Sequence, residues 1–192
     1  MAIDVIAKAD DRRFVVVSGL PGSGKTTVAR ALAPLLSLPV IDKDDILERL
    51  FESRGTGDAG WRRRLSREAD AILQTEVSAS AGAIVCSFWH VPGMPADSGT
   101  PSGWLAELSG AIVYVHCECP PAVAADRFLG RTRHTGHLDG TRTPAEVRSS
   151  IEALAALPPA APSRRVIVDT MQPLDAEAVR RAVESEWIAP AP

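Results

Sequence analysis

The sequence is short of cysteine, of excess charge and of long apolar runs, and each shortage removes a class of protein. Its 192 residues hold three cysteines, Cys86, Cys117 and Cys119. So few thiols, odd in number, do not build a disulfide framework and suit a reducing compartment. Cys117 and Cys119 form a C-x-C within an apolar segment, with no second pair to complete a four-ligand zinc site. They read as small buried hydrophobes. The formal net charge is −3, so no global basic field favours nucleic acid or an anionic membrane as a partner. No apolar run approaches the ~20 residues that span a bilayer. The first residues, with Asp4, Lys8, Asp10, Asp11, Arg12 and Arg13, lack the apolar core of a signal peptide. Repeats and interdomain linkers are also missing. The expectation is one cytoplasmic domain over residues 1–192, with no membrane partner and no indication of oligomeric state.

What is present is alternation. Short β-branched runs at 14–18, 39–42, 83–88, 111–117 and 165–170 read as strands. Helical spacing separates them: 25–37, a segment from Asp45, a longer one from Trp61 to Gly82, a short one at 102–108, another from Pro120–Pro121 to Gly130, and 175–187. Thr143-Pro144-Ala145-Glu146 is a capping box with proline at the first helical position, opening a helix that ends at the Pro-rich segment 158–162. Strands alternating with helices predict an α/β domain with a five-stranded, mostly parallel sheet flanked by helices.

Between the first strand and the first helix lies Gly19-Leu20-Pro21-Gly22-Ser23-Gly24-Lys25-Thr26, followed by Thr27. This is G-x-x-x-x-G-K-[ST] in its required strand–turn–helix setting, and it predicts a P-loop. The glycines let the backbone curl its N–H groups around an anion, and the next helix adds its positive N-terminus. Lys25 is expected at the β/γ-phosphates of ATP, and the Thr26 hydroxyl on Mg²⁺.

A second cluster, Asp42-Lys43-Asp44-Asp45, ends the second strand. Ligands gather at the carboxyl ends of strands in such sheets. A kinase needs a carboxylate there to accept the proton of the attacking hydroxyl. Asp44 or Asp45 capping the next helix is the competing role.

Taken together, GLPGSGKTT, DKDDI about twenty residues on, an arginine-rich stretch and a VDT strand end resemble the small P-loop kinases of the AAA_33 and zeta-toxin-like group. That group's relatives include gluconate and shikimate kinases, chloramphenicol phosphotransferase and the kinase domain of polynucleotide kinases. The resemblance covers nearly the whole chain. It implies Asp44 as base, with Asp42 as runner-up and a metal-site candidate. It also implies a lid at about 131–142 whose Arg131 and Arg133 stabilise the transferring phosphoryl group, with Arg127 behind them. Asp169-Thr170 is expected beside the adenine. One departure stands out: many relatives carry an Asp at the end of the third strand, where this chain has Cys86-Ser87. Magnesium must then lean on Thr26, the phosphates, water and Asp42 or Asp44, with Ser87 at best holding a metal-bound water.

Arg49, the Arg62–Arg64 run, Trp89 and His90 face the expected acceptor side. The arginines point to an anionic acceptor or form a solvated helix face. Trp89 lines a pocket or plugs the core. His134 and His137 have no third ligand at metal-site spacing. The reaction expected is transfer of the γ-phosphoryl group of ATP to a small-molecule hydroxyl on a metabolite, sugar or antibiotic. The competing readings are a polynucleotide 5′-kinase, a nucleoside monophosphate kinase, and a nucleotide-binding protein that hydrolyses ATP slowly.

Overall fold

Phe14, Val15, Val16 and Val17 have no solvent exposure at all, which only a central strand covered on both faces allows. The computed structural model describes residues 11–161 and 165–188. The charged residues expected before Asp11, the end of the Pro-rich segment at Pro162 and the chain's last four residues lie outside that range. The strands are β1 (Arg13–Gly19), β2 (Val40–Asp42), β3 (Gly82–Cys86), β4 (Ala111–Glu118) and β5 (Val166–Asp169). They form one sheet in the order β2-β3-β1-β4-β5. Every pairing among them is parallel.

The helices are α1 (Lys25–Leu36), α2 (Lys43–Arg54), α3 (Ala59–Ala79), α4 (Pro121–Gly130), α5 (Pro144–Ala155) and α6 (Ala176–Ile188). The period of two along β1 splits the core. Phe14 and Val16 join Leu47, Phe51, Leu65 and Leu73 of α2 and α3 on one face. Val15 and Val17 join Val28 and Leu32 of α1 and Val183 of α6 on the other. Each large side chain buried this way contributes about 1.5–3 kcal/mol. A smaller cluster, Ala124, Ala125, Phe128, Val147 and Ile151, zips α4 to α5 above the strand ends.

Several boundaries differ from the sequence expectation: α3 runs Ala59–Ala79, so that Gly82 opens β3 instead of ending the helix, α5 stops at Ala155, and three further differences have a local reason. Helix α2 begins at Lys43 rather than Asp45, because Asp42 is its cap: Oδ1 of Asp42 accepts the Asp44 N–H at 3.0 Å. The cap is therefore neither Asp44 nor Asp45, and Asp44 sits in the first helical turn. Strand β3 stops at Cys86, two residues early. The chain then turns back, with Ser87 Oγ 2.6 Å from Thr100 Oγ1 and the Thr100 N–H bonded to the Phe88 carbonyl at 2.7 Å. The short helix expected at 102–108 is a 3₁₀ segment, Gly103–Glu107. The capping box forms as read, with Thr143 and Glu146 bonded reciprocally.

Candidate functional site

β1 ends at Gly19, and the next five residues turn the chain into α1. Gly19 (φ +140°) and Gly22 (φ +82°) adopt backbone conformations that side chains rarely enter. A Cβ on Gly22 would also stand 2.1 Å from the Ala124 carbonyl oxygen, so this turn is held against α4. The Lys25 ammonium donates to the carbonyls of Gly19 (3.0 Å) and Leu20 (2.8 Å). Burial lowers its pKa; Cys86, Cys117, Asp44 and Asp42 oppose that shift. Ser23 is fully buried, and its Oγ has no hydrogen-bond partner among the described residues. A glycine-rich turn at the head of α1, a half-buried cation and an orphaned hydroxyl fit a polyphosphate.

Thr26 Oγ1 donates to Asp42 Oδ2 at 2.9 Å. Asp42 is 4% exposed, and burial, with the nearby Asp44 charge, raises its carboxyl pKa. Cys86 lies across the β2–β3 register from Asp42, its Sγ 3.9 Å from the Thr26 hydroxyl. Burial and the Asp42 charge push that thiol well above its ordinary range, so it is neutral. The donors are therefore a hydroxyl and a carboxylate, hard oxygens that suit Mg²⁺. Ser87, bonded to Thr100, is turned away from this role.

Asp44 projects from α2 toward the lid. Its Oδ2 pairs with Arg133 at 2.5 Å. Burial would raise its pKa, but Arg133, His137, Lys25 and Arg131 together outweigh burial and lower it. Arg133 and Arg131 also share Asp139, at 3.3 and 3.4 Å. The Arg131 guanidinium lies 4.2 Å over the Phe128 ring. Arg62, half-buried on α3, is in electrostatic range of Asp139, Arg133 and Asp44.

The lid itself is not irregular. It carries two 3₁₀ turns, Thr135–His137 and Asp139–Thr141, joined by Leu138 at φ 61°. Its seat is α2: His134 stacks on Phe51 at 5.2 Å, and His137 meets the same ring edge-on at 5.4 Å. Nε2 of His137 lies 2.9 Å from Oε1 of Glu48. The two histidines thus dock the lid.

On the far side of the P-loop, a groove of about 290 Å³ is bounded by Gly24, Thr27, Val28, Val168, Asp169 and Thr170. Arg127 crosses it, donating to Thr170 Oγ1 (3.0 Å) and the Thr170 carbonyl (2.8 Å).

The AAA_33 family model, an AAA domain, matches residues 14–158. The chain belongs to this family. Among solved structures, a candidate kinase from Chloroflexus aurantiacus is similar over 91% of this chain and 94% of that one, at 25% identity and TM-score 0.69. A shikimate kinase from Bacteroides thetaiotaomicron shares the fold over 90% and 94% of the two chains, at 23% identity and TM-score 0.53. An uncharacterized protein of Mycobacterium tuberculosis is 30% identical over 152 residues, 73% of this chain and 29% of that one. The chain thus spans under a third of the length of the curated relatives it first matches. A shikimate kinase of Corynebacterium glutamicum is 35% identical over 72 residues, 37% of this chain and 43% of that one. This AAA_33 chain has the scaffold of a small P-loop kinase, and no helix among its described residues is long and apolar enough to cross a membrane.

Of the residues singled out in the sequence, Lys25, Thr26, Asp42, Asp44, Arg62, Arg131 and Arg133 converge on one side of the P-loop. Arg127 and Asp169 flank the groove on the other. Arg49 is outside the cluster, exposed and paired with Glu76 at 3.1 Å. His90 Nδ1 is 2.7 Å from the Ser98 carbonyl, within its own loop. Trp89 is 2% exposed and donates its indole N–H to the Val17 carbonyl at 2.9 Å. Sequence reasoning missed Glu48, Phe51 and Asp139. Glu48 carried a usable signal, since it lies four residues after Asp44 and so on the same helix face. Asp139 carried one too, as an acid in the same 131–142 stretch as its partners Arg131 and Arg133; Phe51 carried none, because its ring partners come from another element.

Proposed function

We propose that the protein transfers the γ-phosphoryl group of ATP to a hydroxyl of a small molecule. The observation that supports this most is Asp44: an ionised carboxylate in the first turn of α2, within electrostatic reach of both Lys25 of the P-loop and Arg133 of the lid. The acceptor hydroxyl gives its proton to Asp44. Its oxygen forms the new bond to the γ-phosphorus as the bond to the β–γ bridging oxygen breaks, and ADP leaves with that electron pair. Lys25, Arg131 and Arg133 offset the charge spread over the transferring group. Thr26 and Asp42 would hold Mg²⁺, which when bound neutralises phosphate charge. Arg127, Asp169 and Thr170 border the groove suited to the nucleoside.

Slow hydrolysis without an acceptor was the rival reading, resting on the missing acid of the third strand. Asp42, one strand over and 2.9 Å from Thr26, supports phosphotransfer instead. The test is phosphorylation of a metabolite extract with Mg²⁺-ATP, read by mass spectrometry. A phosphorylated alcohol formed by wild type but not by Asp44→Ala is expected. ATP loss that is slow and indifferent to every acceptor fraction would overturn the proposal.

A further inference from the structure

A second, larger cavity of about 770 Å³ shares Asp169 with the nucleotide groove and reaches Gly19 and Leu20 at the end of β1. Its apolar walls are Phe88, Trp89, Val91 and Met94 from the segment after β3, with Leu154 from the end of α5 and Leu157 just beyond it. His116 and Glu118 of β4 and Arg165, just before β5, provide polar groups. The volume falls within the roughly 300–1,000 Å³ of small-molecule pockets, and apolar walls with few polar groups are their usual lining.

Two observations tie this space to the chemistry. Gly19 and Leu20 line it, and their carbonyls hold the Lys25 ammonium. Asp44 acts electrostatically on that same ammonium, so the base and the cavity share one neighbour. A third observation bears on charge. Of the lid arginines, Arg133 pairs with Asp44 and Asp139, and Arg131 with Asp139. Neither of them lines the cavity, whose own charged lining is of both signs, Arg165 against Glu118 and Asp169.

The geometry points to this cavity as the acceptor site, and to a neutral alcohol with an apolar, ring-sized body as its ligand class. The inference rests on the phosphotransfer reading for its chemistry, but the binding stands by itself. The apolar body lies between the segment after β3 and the end of α5, and the hydroxyl points past Leu20 toward Lys25. Burying apolar ligand surface supplies the affinity at about 25 cal/mol per Å².

The experiment uses the full chain and three neutral alcohols, phenylethanol, cyclohexylmethanol and geraniol, with gluconate and shikimate as anionic comparators. Binding is read by ligand-observed NMR without nucleotide, and phosphorylation by mass spectrometry with Mg²⁺-ATP. Ala155→Trp, at an exposed position on the cavity wall, fills the space; Leu157→Trp does so from a second position. ATP-analogue affinity reports whether each variant is folded. The expected result is that at least one neutral alcohol binds wild type, and binds roughly tenfold or more weakly to both variants, while analogue affinity holds. Binding of the anions alone, or alcohol binding untouched by both substitutions, overturns the inference and leaves phosphotransfer standing. Cavity-dependent binding of an alcohol that is never phosphorylated overturns the phosphotransfer reading and leaves the site standing.

Discussion

The hydroxyl of Thr26, in the first turn of α1, donates to the carboxylate of Asp42, at the end of β2, across 2.9 Å. The same carboxylate caps α2 through its other oxygen. One buried side chain thus ties the P-loop helix to the helix that carries Asp44.

That dual role sets up a trade between stability and function. Burial and Asp44 raise the Asp42 pKa, so the folded state binds its proton more tightly than the unfolded state. Its contribution to stability is full below the ordinary aspartate value and is lost as pH rises through the raised one. At neutral pH the charge is a cost. Asp42→Asn keeps a cap acceptor and removes the charge. Its Tm at pH 7 is expected to rise, by about 2–4 °C for each ~1 kcal/mol regained, and the advantage to vanish in acid. Magnesium should then strengthen ATP binding less than in wild type. Thermal melts across pH and ATP titrations with and without Mg²⁺ check both halves; a lower Tm with unchanged magnesium dependence contradicts them.

Asp44 is expected to behave in the opposite way. Arg133, His137, Lys25 and Arg131 outweigh its burial and depress its pKa. Its contribution to stability is present above the ordinary aspartate value and is lost as pH falls through the depressed one. Asp44→Asn should cut phosphoryl transfer by about 10²–10⁴-fold, the range for a lost general base, with nucleotide affinity nearly unchanged. In wild type kcat/KM should show no acid limb from this group above the ordinary carboxylate range. A transfer rate near wild type in the variant assigns the base elsewhere.

The lid's seat should loosen in mild acid. Burial and Arg133 lower the His137 pKa, although Asp44 and Glu48 pull it upward. The folded state therefore takes up this proton later than the unfolded state, and the docking is fully stable above the ordinary histidine value and weakens as pH falls below it. Hydrogen exchange over residues 131–142 should quicken as pH falls from about 7 toward 5, after correction for the intrinsic rate, around the ordinary histidine pKa of about 6.5. His137→Phe keeps a ring against Phe51 without the proton, and should remove that dependence. Retention of the pH dependence in this variant places the titrating group elsewhere.

Gly22→Ala tests the cradle. A Cβ there meets the Ala124 carbonyl at 2.1 Å and sits at φ +82°. The strain, about 1–3 kcal/mol for the backbone alone, must be relieved by moving the turn or α4. Loss of ATP binding with a modest fall in Tm is expected, read by titration calorimetry and thermal melting. Gly140→Ala has open space around it and provides the comparison: it should bind ATP as wild type does.

The sequence by itself determined the scaffold. β-branched runs and helical spacing are local properties, so the five strands, the six helices and the strand–turn–helix setting of the P-loop were all legible, along with the Thr143–Glu146 capping box. The presence of a carboxylate cluster after the second strand and of arginines at 131–142 was legible too. Tertiary structure decided which of these side chains do what. The parallel register placed Asp42 beside Cys86, so that a β2 residue faces Thr26. The seating of the lid on Phe51 brought Arg133 to Asp44 and His137 to Glu48, partners 89 residues apart in the chain. The same packing left Arg49 on an outer surface and put the Trp89 indole under Val17. Periodicity shows which face of an element is apolar; it carries no information about which distant element will lie against it. That is decided only when loop closure and burial are satisfied together.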